Sequence, residues 1–167
     1  GVEKSSLIMI VGGSGTGKTS FCSQSLHYAA HKGQKCLYIS FEEPSGQIIR
    51  HSNSFCDDCR RDPEKGNIRF LDVDIFEVAK SVEASILKAK GDLLINEKNL
   101  PLIIPEGFKP DRIVVDSLPA LSSLLKEEAY RYFIFKFFSF LKSTGATVLI
   151  ITETKGDPGQ LGGVGIE

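Results

Sequence analysis

The sequence predicts an α/β fold, a mostly parallel sheet flanked by helices, as a single domain spanning residues 1–167. Three observations carry this. The apolar runs are continuous rather than alternating, the pattern of strands covered by helices on both faces. Segments of helical character separate the runs, and parallel strands need such long return paths. A glycine-rich loop joins the first run directly to the first helical segment.

Taken in order, Leu7-Ile8-Met9-Ile10-Val11 is a first strand, expected to be covered on both faces. Lys18 to Ala30 is helical and closed by Gly33. A second strand covers Cys36 to Phe41, followed by a helix from Gln47 to Phe55 and a strand from Ile68 to Leu71. The capping box Asp74-x-x-Glu77 opens a helix that runs to Lys90, before Gly91. Residues 92–110 break the pattern, with Pro101, Pro105 and Pro110 around Leu102-Ile103-Ile104, and predict an inserted loop or small hairpin. Ile113 to Val115 is the next strand and Thr147 to Ile151 the last. Between them, Lys126 to Lys142 carries Tyr130, Tyr132, Phe133, Phe135, Phe137, Phe138 and Phe140, with Gly145 as C-cap. Such a helix packs against the sheet, although the breadth of its aromatic stripe leaves a subunit contact open.

At 167 residues, 41% hydrophobic and 25% charged, the chain is long enough for one sizeable core and too short for two. Twenty Lys plus Arg balance 21 Asp plus Glu for a net charge of −1, so no whole-chain field favours nucleic acid or anionic membrane. No apolar stretch approaches the roughly 18 residues of a membrane span, and the first residues lack the features of a signal peptide. A soluble, cytoplasmic protein is expected. Four cysteines are too few for a disulfide scaffold, so thiols are expected. The chain lacks an initiator Met and stops at Glu167 after a glycine-rich loop, as a piece of a longer protein would.

Gly12-Gly13-Ser14-Gly15-Thr16-Gly17-Lys18-Thr19 fits G-x-x-x-x-G-K-[ST] in full and lies between a buried strand and a helix. Its glycines let successive N–H groups turn inward, and the helix that continues through Ser20 adds its positive end, so the loop forms a cradle for phosphate oxygens. Lys18 then reaches the β/γ-phosphates and Thr19 offers its hydroxyl to Mg2+. The strand Arg112-Ile113-Val114-Val115-Asp116 ends in the acid that such a loop needs to hold the metal through water. Tyr38-Ile39-Ser40-Phe41-Glu42-Glu43-Pro44 places adjacent carboxylates on the same sheet edge. Both cannot point at a γ-phosphate from an extended strand. Glu42 is therefore the expected base for the attacking water, and Glu43 has a supporting role. At the end of the last strand, Thr152 and Glu153 are candidates to sense the γ-phosphate.

These four segments, in their order along the chain (Gly12–Thr19, Tyr38–Pro44, Arg112–Asp116 and the end of the last strand), resemble the RecA-like ATPases and, within them, the KaiC-like family, over nearly the whole chain. The resemblance implies a RecA-like P-loop NTPase core whose further C-terminal strands are missing here. It implies ATP and Mg2+ as cofactors, with Lys18 and Thr19 on phosphate and metal, Asp116 as the Walker B acid, and Glu42 with Glu43 in catalysis. It also implies a homo-oligomeric ring, usually a hexamer, with nucleotide between subunits and a trans-acting Lys or Arg on the later strands. The expected function is a Mg2+-dependent ATPase used as a regulatory or mechanical switch, its protein partner unidentified. Family members that phosphorylate themselves carry Ser or Thr after the last strand, and residues 155–167 have neither, so autokinase activity is not expected.

Two alternatives stand beside it. A DNA-dependent recombinase-type ATPase wants basic residues in the loop after the last strand, yet Lys155 to Gly163 holds one Lys and one Asp. A non-hydrolysing, nucleotide-dependent interaction module is opposed by the Glu42-Glu43 pair. Cys56-x-x-Cys59, even with His51 near, falls short of a four-ligand zinc site, and Cys22 and Cys36 fall on other elements. His27 and His31 predict a solvated helix face, and Arg60-Arg61, followed by Asp62 and Glu64, a mixed-charge surface.

Overall fold

The computed structural model describes residues 3–52, 67–89, 104 and 107–153, with side chains to residue 86 in the third helix. Its strands are β1 (Leu7–Gly12), β2 (Cys36–Ser40), β3 (Ile68–Asp72), β4 (Arg112–Asp116) and β5 (Thr147–Glu153). Its helices are α1 (Lys18–His31), α2 (Ser45–Ser52), α3 (Ile75–Ala89), α4 (Pro119–Ser122) and α5 (Glu127–Ser143). The strands form one sheet in the order β1-β5-β4-β2-β3, and every pairing is parallel.

The chain steps through α1 and α2 toward the β3 edge, then returns through α3 to β4. Right-handed crossovers put helices on opposite faces when the direction reverses. Accordingly, Cys22 and Leu26 of α1 and Ile48 of α2 pack against Tyr38, Val114 and Ile151 on one face. On the other, Val78 and Val82 of α3, Leu121 of α4 and Phe133 and Phe137 of α5 pack on Ile39, Val115 and Ile150. The aromatic helix thus fills core, as expected: Phe133 stacks on Phe137 at 5.3 Å, and Phe41 meets Phe137 edge-on at 5.9 Å. Phe135 points outward, 69% exposed.

The capping box holds in half. Asp74 Oδ1 accepts from the amides of Phe76 and Glu77, while Glu77 turns to Lys80 rather than back to the cap. Gly145, at φ 69°, follows the end of α5 in a conformation that favours glycine.

Three expectations change. β1 is the edge strand of the described sheet: Leu7 packs on one face and Ile8 and Ile10 on the other, while Met9 and Val11 remain 38% and 37% exposed, so its cover is partial among the described residues. The helix expected from Gln47 begins two residues earlier, at Ser45, where Ser45 N and Oγ bond the carboxylate of Asp72 at 2.8 and 2.9 Å. Of the two histidines expected on a solvated face, His31 is exposed but His27 is half-buried; burial, and then the neighbouring His31, lower the His27 pKa. The end of that α2 expectation at Phe55, the Cys56/Cys59 pair, Arg60-Arg61, most of the 92–110 insertion and residues 154–167 lie outside the described residues.

Candidate functional site

The carboxyl ends of β1, β2, β4 and β5 meet at one edge of the sheet, where open α/β sheets bind ligands. There a cleft of about 320 Å³ is lined by Ser14, Gly15, Gly17, Lys18, Thr19, Ser20, Glu42, Glu43, Asp116, Ser117, Ile151 and Glu153. Four separate stretches of chain supply these residues.

The loop from Gly12 to Gly17 is shaped by its own contacts. Gly13 O accepts from Thr16 Oγ1 at 2.9 Å and from Lys18 Nζ at 2.8 Å. A Cβ on Gly12 would lie 2.8 Å from Thr16 Oγ1, so a side chain there would displace the Thr16 hydroxyl that bonds Gly13 O. Gly17 caps α1 with φ 83°, a left-handed conformation, and no side chain caps the helix. The amide of Phe21 makes the first helical bond, to Gly17 O at 2.9 Å. The preceding amides of Lys18, Thr19 and Ser20 are then left at the positive helix end, with no acidic residue in the first turn. An anion is the complement of that arrangement.

Helix α1 lies across β4, although β5 separates β4 from β1 in the sheet. Thr19 therefore reaches Asp116: its Oγ1 donates to Oδ2 at 2.9 Å. Tyr38 of β2 donates to the same oxygen at 2.6 Å. Burial raises the pKa of Asp116, the two hydroxyl bonds lower it, the charge of Glu42 raises it and that of Lys18 lowers it. The net direction is upward. Burial, then Asp116, push Tyr38 upward as well, so the phenol is the donor. Beneath the site, burial and then Asp116 push the Cys22 thiol up to about 12.

β2 ends at Ser40, and residues 41–43 bend away from the strand. Both ends of this bend are fixed. The Phe41 amide donates to Asp116 O at 2.7 Å, Val73 N donates to Ser40 O at 2.8 Å, and Ser40 Oγ donates to Glu43 O. Because the backbone turns here, both carboxylates line the cleft, but they differ in support. Both are exposed, but Glu42 Oε2 accepts from Ser117 Oγ at 2.7 Å, a side-chain bond that Glu43 does not share.

At the end of β5 the two residues separate. Glu153 lines the cleft and its Oε1 lies 3.5 Å from Lys18 Nζ. Thr152 is buried and is absent from the cleft wall. Its neighbours Ile151 and Glu153 take the cleft side, as strand alternation requires. Sequence reasoning missed Tyr38 and Ser117. Ser117 follows Asp116 directly, but the bend that brings Glu42 to it is not local to it. Tyr38 is identified only by the register, Ser40 opposite Asp116, which sets the phenol beneath the acid.

The donor set suits a hard cation. A hydroxyl and a carboxylate oxygen sit 2.9 Å apart, and Mg2+ characteristically takes one or two such protein oxygens together with phosphate and water. Among the described residues, no three His, Cys, Asp or Glu side chains form a cage for a metal.

A sequence model of the family described as "ATPase: KaiC" matches residues 1–167. Similar curated proteins include the circadian clock protein KaiC3 of Synechocystis sp. (strain PCC 6803), 31% identical over 166 residues, or 99% of this chain and 30% of that protein. Another is the circadian clock oscillator protein KaiC of Parathermosynechococcus lividus, 28% identical over 134 residues, or 80% of this chain and 22% of that protein. The chain thus spans less than a third of the length of these relatives. Among solved structures, the KaiC-like protein PH0186 of Pyrococcus horikoshii OT3 superposes with a TM-score of 0.69 over 96% of this chain and 65% of its own. At 24% identity that likeness speaks to the fold: the parallel sheet and its flanking helices are those of a RecA-type core.

Proposed function

Since the chain belongs to the KaiC family of RecA-like ATPases, we propose that its cleft binds ATP with Mg2+ and hydrolyses it, and that the protein works as a nucleotide-driven regulatory or mechanical switch. The observation that carries the reading is the convergence on one cleft of an uncapped helix start, Lys18, the Thr19–Asp116 pair and the Ser117-held Glu42.

The amides of residues 18–20 and Lys18 hold phosphate oxygens. Thr19 and Asp116 would hold Mg2+, which supplies charge neutralisation on the phosphates when bound. Glu42 orients a water for in-line attack on the γ-phosphorus. A bond forms from the water oxygen to phosphorus, the bond to the β,γ-bridging oxygen breaks, ADP leaves with that electron pair, and the water proton passes to the Glu42 carboxylate. Ser117 occupies Oε2 of Glu42, which leaves Oε1 for the water. Glu43, on the same bend, supports the geometry. Glu153 pairs with Lys18 rather than donating to phosphate, since an ionised carboxylate has no proton to give. Membership of the KaiC family supports a homo-oligomeric ring in which a neighbour adds to the charge of Lys18. Hydrolysis to water, without a stable phosphoprotein, is the expected outcome.

Calorimetry with ATP in Mg2+ buffer and phosphate release at saturating nucleotide test this. Glu42→Gln should keep ATP affinity and lose turnover by about 10²- to 10⁴-fold, because an amide orients water but cannot take its proton. Lys18→Ala should lose affinity. Unchanged affinity in Lys18→Ala, or unchanged turnover in Glu42→Gln, refutes the reading; a larger loss in Glu43→Gln reverses the two roles.

A further inference from the structure

Tyr38 is the fully buried phenol of β2, 1% exposed, with its ring stacked on Phe70 at 5.6 Å. A hydroxyl in such an apolar setting is costly unless bonded, and its bond goes to Asp116 Oδ2 at 2.6 Å. Thr19 Oγ1 donates to that same oxygen, and no hydrogen bond from a described residue reaches Oδ1. One carboxylate oxygen is thus held twice and the other is left for the cleft. The two donors differ in freedom. Thr19 has a second use for its hydroxyl oxygen, toward a metal, and turns about one side-chain bond to serve it. Tyr38 is held by its stacked ring, and the other polar group beside its oxygen is the buried Ser23 hydroxyl, so neither metal nor nucleotide competes for its proton.

We propose that Tyr38 is a positioning residue that fixes the Asp116 carboxylate from beneath the sheet edge, and so sets how strongly Mg2+ enhances nucleotide binding. This rests on the reading of Thr19 and Asp116 as the metal-holding pair. Tyr38 acts through Asp116 and touches neither metal nor nucleotide. Its hydroxyl matters because a hydrogen bond to a charged group is stronger than a neutral one and because a carboxylate free to rotate presents its second oxygen poorly.

The test is calorimetry of the full chain with ATP, once in EDTA and once across a Mg2+ series, with the ratio of affinities as the readout. Tyr38→Phe should leave ATP affinity in EDTA unchanged and cut the Mg2+ enhancement about tenfold. In an Asp116→Asn background the same substitution should change nothing further, whereas a packing role would persist there. Equal weakening in EDTA and Mg2+, or an unchanged enhancement in Tyr38→Phe while Asp116→Asn loses it, overturns this inference alone. Full enhancement in Asp116→Asn overturns the metal-site reading beneath it. If Tyr38→Phe does not fold, Phe70→Leu decides: it loosens the ring and keeps the hydroxyl, so a smaller loss of enhancement supports the proposal and an unchanged enhancement overturns it.

Discussion

Glu153→Gln should tighten ATP binding, the reverse of what a side chain that grips phosphate would do. Lys18 Nζ is shared between Gly13 O at 2.8 Å and Glu153 Oε1 at 3.5 Å. To meet a phosphate the ammonium must leave the carboxylate, which then faces the incoming negative charge. Two unit charges about 4 Å apart interact by about 4 kcal/mol at an effective dielectric constant of 20. The Glu153 side chain is 48% exposed, however, against 10% for Lys18, and pairs with one member in water are worth only about 0–1 kcal/mol. The substitution should therefore strengthen ATP binding up to about fivefold. Lys18→Ala should weaken it by about 10- to 150-fold, since a contact to a charged group is worth about 1.5–3 kcal/mol. Calorimetry in Mg2+ buffer reads both. The Glu153→Gln gain should shrink between 0.1 M and 1 M salt, as the screening length falls from about 10 Å to about 3 Å. Weaker ATP binding in Glu153→Gln would show that the carboxylate helps to hold the ligand, and the competition argument would fail.

Asp116→Asn should raise the melting temperature of the nucleotide-free protein at pH 7.5. Burial holds the Asp116 pKa above its unfolded value, so this group favours the fold while protonated, and that contribution is lost as pH rises through the folded pKa. The gap between variant and wild type should close toward acid pH, and a lower melting temperature in Asp116→Asn at pH 7.5 contradicts the sign. The buried thiols of Cys22 and Cys36, both raised to about 12, should resist iodoacetamide at pH 8 in the folded chain and react once it is unfolded. Mass spectrometry after tryptic digestion reports this, and native-state labelling of either cysteine counts against their burial.

The sequence made legible whatever is written locally. Continuous apolar runs mark β2, β4 and β5 as interior strands, and the glycine loop that lines the cleft is legible because its pattern lies within eight consecutive residues. The same run at Leu7–Val11 lies at the edge of the described sheet, and an apolar strand does not record how many neighbours it has. Met9 and Val11 are as apolar as Val114 and Val115, yet they stand partly in the open. Helix α4 passed unnoticed, since four residues after Leu118 leave no periodicity to read. Tyr38 and Ser117 were out of reach for another reason. Their partners lie 78 and 75 residues away, and only the parallel register and the bend after Ser40 bring them together.

That distance bears on how the chain folds as well as on what it does. Thr19 and Asp116 are separated by 97 residues, and the segment between them includes β2, β3 and α3. A chain that has formed only its first three strands owns the phosphate cradle and the paired glutamates, but not the acid that completes the site. A ligand that needs both halves binds the finished sheet and ignores the partial one, adding RT ln(1 + [L]/Kd) to the stability of the finished state alone. At a thousandfold excess over Kd that is about 4 kcal/mol, a large share of the 5–15 kcal/mol that separates a folded domain from its unfolded chain. On the proposed reading, the nucleotide would act as an inspector of assembly, rewarding the arrival of β4 before any chemistry begins.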